Sequence, residues 1–135
     1  MISLDDYFLN REDTPRNEKG QYDYESIDAI DTALFNRNML ELLNGHRVQI
    51  PYYNFITGKR EWHDDNFLLM KEDQPIIIEG IHGLNERLTA DIARKNKYKI
   101  YISALTQLNI DAHNRIPTTE VRFLRRLVRD HQFRG

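Results

Sequence analysis

The run Ile76-Ile77-Ile78-Glu79-Gly80 constrains this chain more than any other segment. Three successive β-branched residues favour a strand, and an unbroken apolar strand predicts burial on both faces, as in a parallel sheet. Glu79 and Gly80 then end it. A carboxylate after such a strand either reaches a cleft or is wasted, because open α/β sheets bind ligands beyond the carboxyl ends of their strands. Met1–Leu4 is a second apolar stub, and Asp5-Asp6 ends it in the same way. The alternatives are simple: Asp is a good turn or helix cap, and Glu79 could sit in solvent.

The segments between these strands alternate. Residues 9–21 are polar, carry Pro15 and Gly20, and predict an exposed loop. Ile30, Leu34, Phe35, Met39, Leu42 and Leu43 recur at helical spacing, so a helix is expected over about 28–44, with Gly45 as its C-terminal cap. Val48–Phe55 is β-prone, Thr57-Gly58-Lys59 signals a turn, and a second extended run passes through Trp62 to Met70. This predicts a hairpin over about 48–70. Residues 86–94 are weakly helical, Tyr98–Ile102 suggests another strand, and Pro117-Thr118 opens a helix to about Phe133. Strands alternating with helices indicate an α/β fold. No repeats or low-complexity segments interrupt the chain.

Composition excludes several function classes. A length of 135 residues suits one domain, and 40% hydrophobic with 30% charged residues is ordinary for a globular protein. With no cysteine there is no disulfide framework, zinc ribbon or thiol nucleophile, which fits a reducing, cytoplasmic setting. No apolar run is long enough to cross a membrane, and the first residues do not form a signal peptide. The net charge of −2 argues against an overall basic nucleic-acid binder. That total conceals an asymmetry. Residues 1–31 hold three basic and nine acidic residues (net −6), and residues 115–135 hold six basic and two acidic ones (net +4).

The basic end has a pattern. Arg122, Arg125, Arg126 and Arg129 fall at i, i+3, i+4 and i+7, so they share one helix face, with Val121, Leu124, Leu127 and Val128 on the other. Arginine suits bidentate phosphate contacts. A solvated amphipathic helix facing the acidic front is the competing reading. Nucleic acid is disfavoured as a partner because the rest of the chain lacks a basic stripe. Tyr22, Tyr24, Tyr52, Tyr53 and Phe55 flank the first helix and could stack on a base, with Glu25 accepting from sugar hydroxyls, although aromatic residues in strands are more often core. The five histidines have no metal-ligand spacing.

Taken in order, these segments resemble the uridine kinase and phosphoribulokinase branch of the P-loop kinases. The matching residues are Ser3-Leu4-Asp5-Asp6-Tyr7-Phe8, Tyr22-Asp23-Tyr24-Glu25, Asp28-Ala29-Ile30-Asp31, Ile50-Pro51-Tyr52-Tyr53-Asn54-Phe55, Ile78-Glu79-Gly80-Ile81, and Arg122 through Asp130 with Arg134-Gly135. Tyr22–Glu25 and Asp28–Asp31 together form one motif; each of the five motifs is weak alone, but five in this order are specific. Tyr101–Arg115 most resembles a bacterial uridine kinase-like subgroup. The resemblance implies that Asp5 is the catalytic base for a nucleoside hydroxyl and that Glu79 is catalytic and lies near Mg²⁺. It implies that Tyr24 and Tyr53 contact the base and that Glu25 holds the ribose. Arg122, Arg125 and Arg129, with Arg134, would be lid arginines reaching the phosphates.

Two departures accompany it. The hairpin position where such kinases place a pyrimidine-reading histidine is Gly58, with His63 five residues on. The 135 residues also contain no G-x-x-x-x-G-K-[ST] phosphate loop; Gly58-Lys59-Arg60 has neither the preceding glycine nor the following hydroxyl.

The expectation is therefore an α/β, partial P-loop kinase-type parallel sheet flanked by helices, with a small β-hairpin insertion. The 135 residues would form a single partial nucleoside kinase-like domain. Such a domain implies ATP and Mg²⁺ as cofactors and a nucleoside-type small molecule as partner, with neither cofactor held tightly by this chain alone. An open sheet edge with apolar surface invites a homodimer. A regulatory protein that kept the kinase shape, or a nucleic-acid module using the Arg face, are the alternatives.

Overall fold

A computed structural model describes residues 1–102, 108, 109, 111 and 115–133. Ile2–Ser3 forms β1 and Ile78–Glu79 forms β6, and the two pair in parallel with Ile2 opposite Ile78 and Ser3 opposite Glu79. Between them lie a helix, α1 (Thr32–Leu43), and four short antiparallel strands: β2 (Val48–Gln49), β3 (Tyr52–Asn54), β4 (Lys59–Glu61) and β5 (Phe67–Leu68). β3 pairs with β4 and β2 with β5, which is the expected hairpin. The fold is α/β, with a small parallel sheet flanked by helices.

Local chemistry explains α1. The Asp31 side chain accepts from Leu34 N–H at 2.9 Å, capping the first turn. At the other end His46 N–H reaches Glu41 O and Gly45 N–H reaches Leu42 O, and Gly45 takes φ +78. Those are the paired bonds of a Schellman stop, and glycine adopts that backbone at little cost. Leu34, Phe35, Met39 and Leu42 face inward, where they join Ile2, Leu4, Tyr7, Phe8, Val48, Ile50, Tyr53 and Leu88 in one core. Tyr7 and Phe35 are both fully buried and meet edge to face, with centroids 5.1 Å apart. Two buried asparagines are hydrogen-bonded into the core. Asn38 donates to the Tyr7 hydroxyl at 3.1 Å, and Asn36 donates to Leu88 O at 3.0 Å and accepts from Asp91 N–H.

Three expectations need correction. The triple-Ile strand is not buried on both faces: Ile77 is 62% exposed, because β6 has β1 as its only neighbour among the described residues and nothing covers the Ile77 side. Tyr98–Ile102 forms no strand, and Tyr98 and Ile102 are largely exposed; alternation of apolar residues makes a strand only where a partner edge accepts it. Residues 86–94 form no α-helix but two isolated 3₁₀ turns, Glu86–Thr89 and Arg94–Asn96.

The chain divides into two compact units, Met1–Ile100 and Tyr101–Gly135. In the second, Leu108–Asn109 (β7) pairs antiparallel with Arg115–Ile116 (β8), and α2 runs from Thr118 to Phe133 as expected. Residues 103–107, 110 and 112–114 of the bacterial subgroup-like stretch, and Arg134 with Gly135, lie outside the described residues.

Phe35→Ala should cost about 3–5 kcal/mol of stability, since it removes a fully buried ring and leaves Tyr7 without its edge contact. Urea unfolding followed by circular dichroism measures this.

Candidate functional site

Parallel pairing sets the acidic end of the first unit. Ser3 and Glu79 are register partners, and the Ser3 hydroxyl donates to Glu79 Oε1 at 2.5 Å. The same Ser3 oxygen accepts from Asp5 N–H at 3.4 Å, opening a short 3₁₀ turn over Leu4–Tyr7. Gly80 is required here. It takes φ +150, and a β-carbon on it would come 2.7 Å from Leu4 Cβ. Asp5 and Glu79 thus leave adjacent strands at the same end, as the placement argument expects.

Asp6 reports how crowded with charge this end is. Burial pushes its carboxyl above the usual carboxylate value; a hydrogen bond from Tyr53 N–H opposes that shift, and the charges of Asp5 and Glu79 add to it. That bond, 3.4 Å long, also ties the hairpin to the acidic turn. Among the described residues no three His, Asp or Glu side chains form a metal-holding group by themselves. One or two carboxylate oxygens remain compatible with Mg²⁺, which keeps several waters and takes its other ligands from substrate phosphates. Glu79 fits that limited role.

Aromatic rings continue from the acidic turn. Phe8 meets Tyr53 at 5.5 Å, Tyr24 at 6.1 Å and Phe55 at 6.5 Å, all edge to face, and Tyr53 meets Phe55 at 5.1 Å. Tyr53 is 2% exposed, and its hydroxyl has no hydrogen-bond partner among the described residues. Burial raises the Tyr53 pKa, Tyr24 adds to the shift, and Arg11 opposes it. Glu25 is exposed, directly after Tyr24. Tyr52 leaves the group: it is largely exposed and packs edge-on against His63 at 5.3 Å.

Asp5, Glu79, Tyr24 and Tyr53 are therefore linked through Ser3, Asp6 and Phe8 within the first unit. Arg122, Arg125 and Arg129 are exposed on α2 in the second unit. Arg129 pairs with Asp130 at 3.2 Å, whereas Arg122 and Arg125 have no carboxylate partner among the described residues. The sequence reading missed Phe8, the ring at the centre of the aromatic group, and Arg11, which crosses the hairpin turn. The turn residue Gly58 was the available signal.

Residues 2–135 match the phosphoribulokinase / uridine kinase family. The chain belongs to that family. It is 33% identical over 106 residues to a uridine kinase of Saccharomyces cerevisiae, an overlap covering 77% of this chain and 20% of that protein. It is 28% identical over all 135 residues to uridine kinases of Staphylococcus haemolyticus and Staphylococcus aureus, covering 56% of each. The chain thus spans about half the length of the staphylococcal relatives and a fifth of the yeast one. No helix among the described residues is long and apolar enough to cross a membrane.

Asp6→Asn should raise thermal stability near neutral pH. Because the folded-state pKa of Asp6 lies above its unfolded value, its stabilising contribution is complete at low pH and is lost as pH rises through the folded pKa. The melting-temperature gain of the variant should therefore grow as pH is raised from about 4 to 7, which differential scanning calorimetry checks.

Proposed function

We propose that this chain carries the acceptor-binding and proton-abstracting part of an ATP-dependent kinase that phosphorylates a nucleoside or similar hydroxyl compound. One observation carries the reading: a carboxylate pair and Glu79 at the ends of parallel strands adjoin a ring cluster containing Tyr24 and Tyr53. Family membership supports it. Phosphoryl transfer needs little covalent chemistry from the protein and depends on positioning and charge neutralisation.

In this reading Asp5 accepts the proton of the attacking hydroxyl. Glu79, oriented by the Ser3 hydroxyl, holds the water shell of Mg²⁺. Tyr24 and Tyr53 flank the base, and Glu25 accepts from the ribose hydroxyls. The guanidiniums of Arg122, Arg125 and Arg129 neutralise the transferring phosphates, which suits two arginines without carboxylate partners. ATP brings the phosphoryl group. Supplying the phosphate cradle falls to a G-x-x-x-x-G-K-[ST] loop, which the 135 residues do not contain.

Two outcomes test this. The 135-residue chain should bind a nucleoside, read by chemical-shift changes in Tyr24 and Tyr53, yet show no turnover approaching the 1–100 s⁻¹ that is roughly typical of kinases. In a protein that carries both these residues and a phosphate loop, Asp5→Asn should lower kcat by about 10²–10⁴ with the acceptor KM little changed. Unchanged kcat would remove Asp5 from the chemistry.

A further inference from the structure

A cavity of about 430 Å³ lies between the start of α1 and the end of β4, lined by Asp31, Ala33, Leu34, Arg37, Arg60 and Trp62. None of these residues belongs to the acceptor site proposed above, and the volume falls within the roughly 300–1,000 Å³ of small-molecule pockets. Its two walls are tied together. Arg60 Nη1 donates to Asp31 Oδ2 at 2.8 Å, and both side chains are only partly exposed. Leu34 is buried, and Ala33 lies one turn before Arg37 on the same helix face, where its short side chain leaves room. Two lining groups have no structural task. Arg37 is exposed and has no hydrogen-bond or carboxylate partner among the described residues; Glu41, one turn on, pairs with His46, and Glu61 accepts from Asn54. Trp62, the only tryptophan of the chain, is 48% exposed. Two basic residues and one acidic residue give the lining a net charge of +1, although residues 1–31 carry net −6.

We propose that this cavity binds a planar aromatic anion, with its ring against Trp62 and its phosphate or carboxylate group on Arg37. Asp31 and Arg60 neutralise each other, so the charge left for a ligand is that of Arg37. A guanidinium donates in a fork that matches the two oxygens of a carboxylate or phosphate, and it keeps its charge at every accessible pH. An indole face attracts a flat ring or a cation. The positive lining disfavours the cation, which leaves the flat ring. An anion without a ring meets one exposed arginine, and exposed ion pairs are weak. A ring without an anion leaves Arg37 in water. Only a ligand with both groups engages both walls, and the Asp31–Arg60 pair positions those walls by fixing β4 against α1. A nucleoside monophosphate and an aromatic carboxylic acid both carry this chemistry. The acceptor site plays no part in it, so either reading can stand without the other.

Because Trp62 is the only indole, its fluorescence reports on this cavity. The 135-residue chain is titrated with adenosine 5′-monophosphate and with 4-hydroxybenzoate, then with adenosine and with inorganic phosphate as fragments, and isothermal calorimetry repeats each titration. At least one of the two anionic rings should change Trp62 emission saturably, and each fragment should bind at least about 10-fold more weakly, the scale of one hydrogen bond to a charged group. A response to the monophosphate alone assigns the cavity to nucleotides, and a response to 4-hydroxybenzoate alone assigns it to aromatic acids. Arg37→Gln should weaken binding about 10-fold or more. Arg47→Gln, which removes an exposed arginine stacked on the Phe67 ring, should leave it unchanged. Both arginines are exposed, and circular dichroism checks that each variant is folded. Three results would overturn the proposal: no saturable response to either anionic ring, a fragment that binds as tightly as the whole ligand, or equal losses in the two arginine variants.

Discussion

The parallel pairing of β1 and β6 is the contact on which the candidate site depends. Its register sets Ser3 against Glu79, and side chains on paired strands can meet only if that register is exact to one residue. A slip of one position would turn Glu79 to the opposite face and separate it from the Ser3 hydroxyl. Gly80 protects the register from its own side. With Leu4 packed where a β-carbon would lie, no other residue fits at the exit of β6 without pushing the two strands apart. The strand pair contributes few hydrogen bonds itself. Its stability comes from the core beneath it, where Ile2 and Leu4 are buried beside Phe35 and Met39.

Asp31 performs the corresponding task for the hairpin. One carboxylate oxygen caps α1, the other accepts from Arg60 of β4 at 2.8 Å, and its N–H donates to Tyr7 O. Arg60 N–H in turn donates to the Asn10 side chain at 3.0 Å. A single residue therefore fixes the helix start, the second hairpin strand and the turn that follows β1. The pair is only partly exposed, so it is less screened than a surface ion pair. Tyr53 meets Phe8 in this arrangement although the two lie 45 positions apart in the chain.

Much of this could be read from the residues. The helix announced itself through periodic Leu, Phe and Met with Gly45 at its end, and the hairpin through Thr57-Gly58-Lys59; both depend on local chemistry that a short window contains. The acidic strand ends followed from where apolar runs stop. The failures share a different cause. Ile76–Ile78 and Tyr98–Ile102 both carry strand-forming side chains, but whether such a run pairs and what buries it is decided by what lies beside it, and sequence does not name the neighbour. Tyr22, Tyr24, Tyr52, Tyr53 and Phe55 could not be sorted into ring cluster and surface for the same reason. Tyr52 and Tyr53 point to opposite faces of one strand, so only one of them can join Phe8. Arg11 was invisible because its partner is an absence, the missing side chain of Gly58.

Charge bears on the proposed roles of the acidic strand ends. Asp5, Asp6 and Glu79 gather at one end, and the upward shift of Asp6 marks a place where burial and neighbouring carboxylates together outweigh the favourable bond from Tyr53 N–H. A free phosphate would meet repulsion there at short range, in surroundings where partial burial weakens screening. A neutral nucleoside would not, because its hydroxyls can donate to the carboxylates that repel an anion. On the proposed function, this end of the first unit presents carboxylates rather than cations to a ligand, so positive charge for a phosphoryl group would come from elsewhere. Divalent cations and arginines are the two chemistries able to provide it.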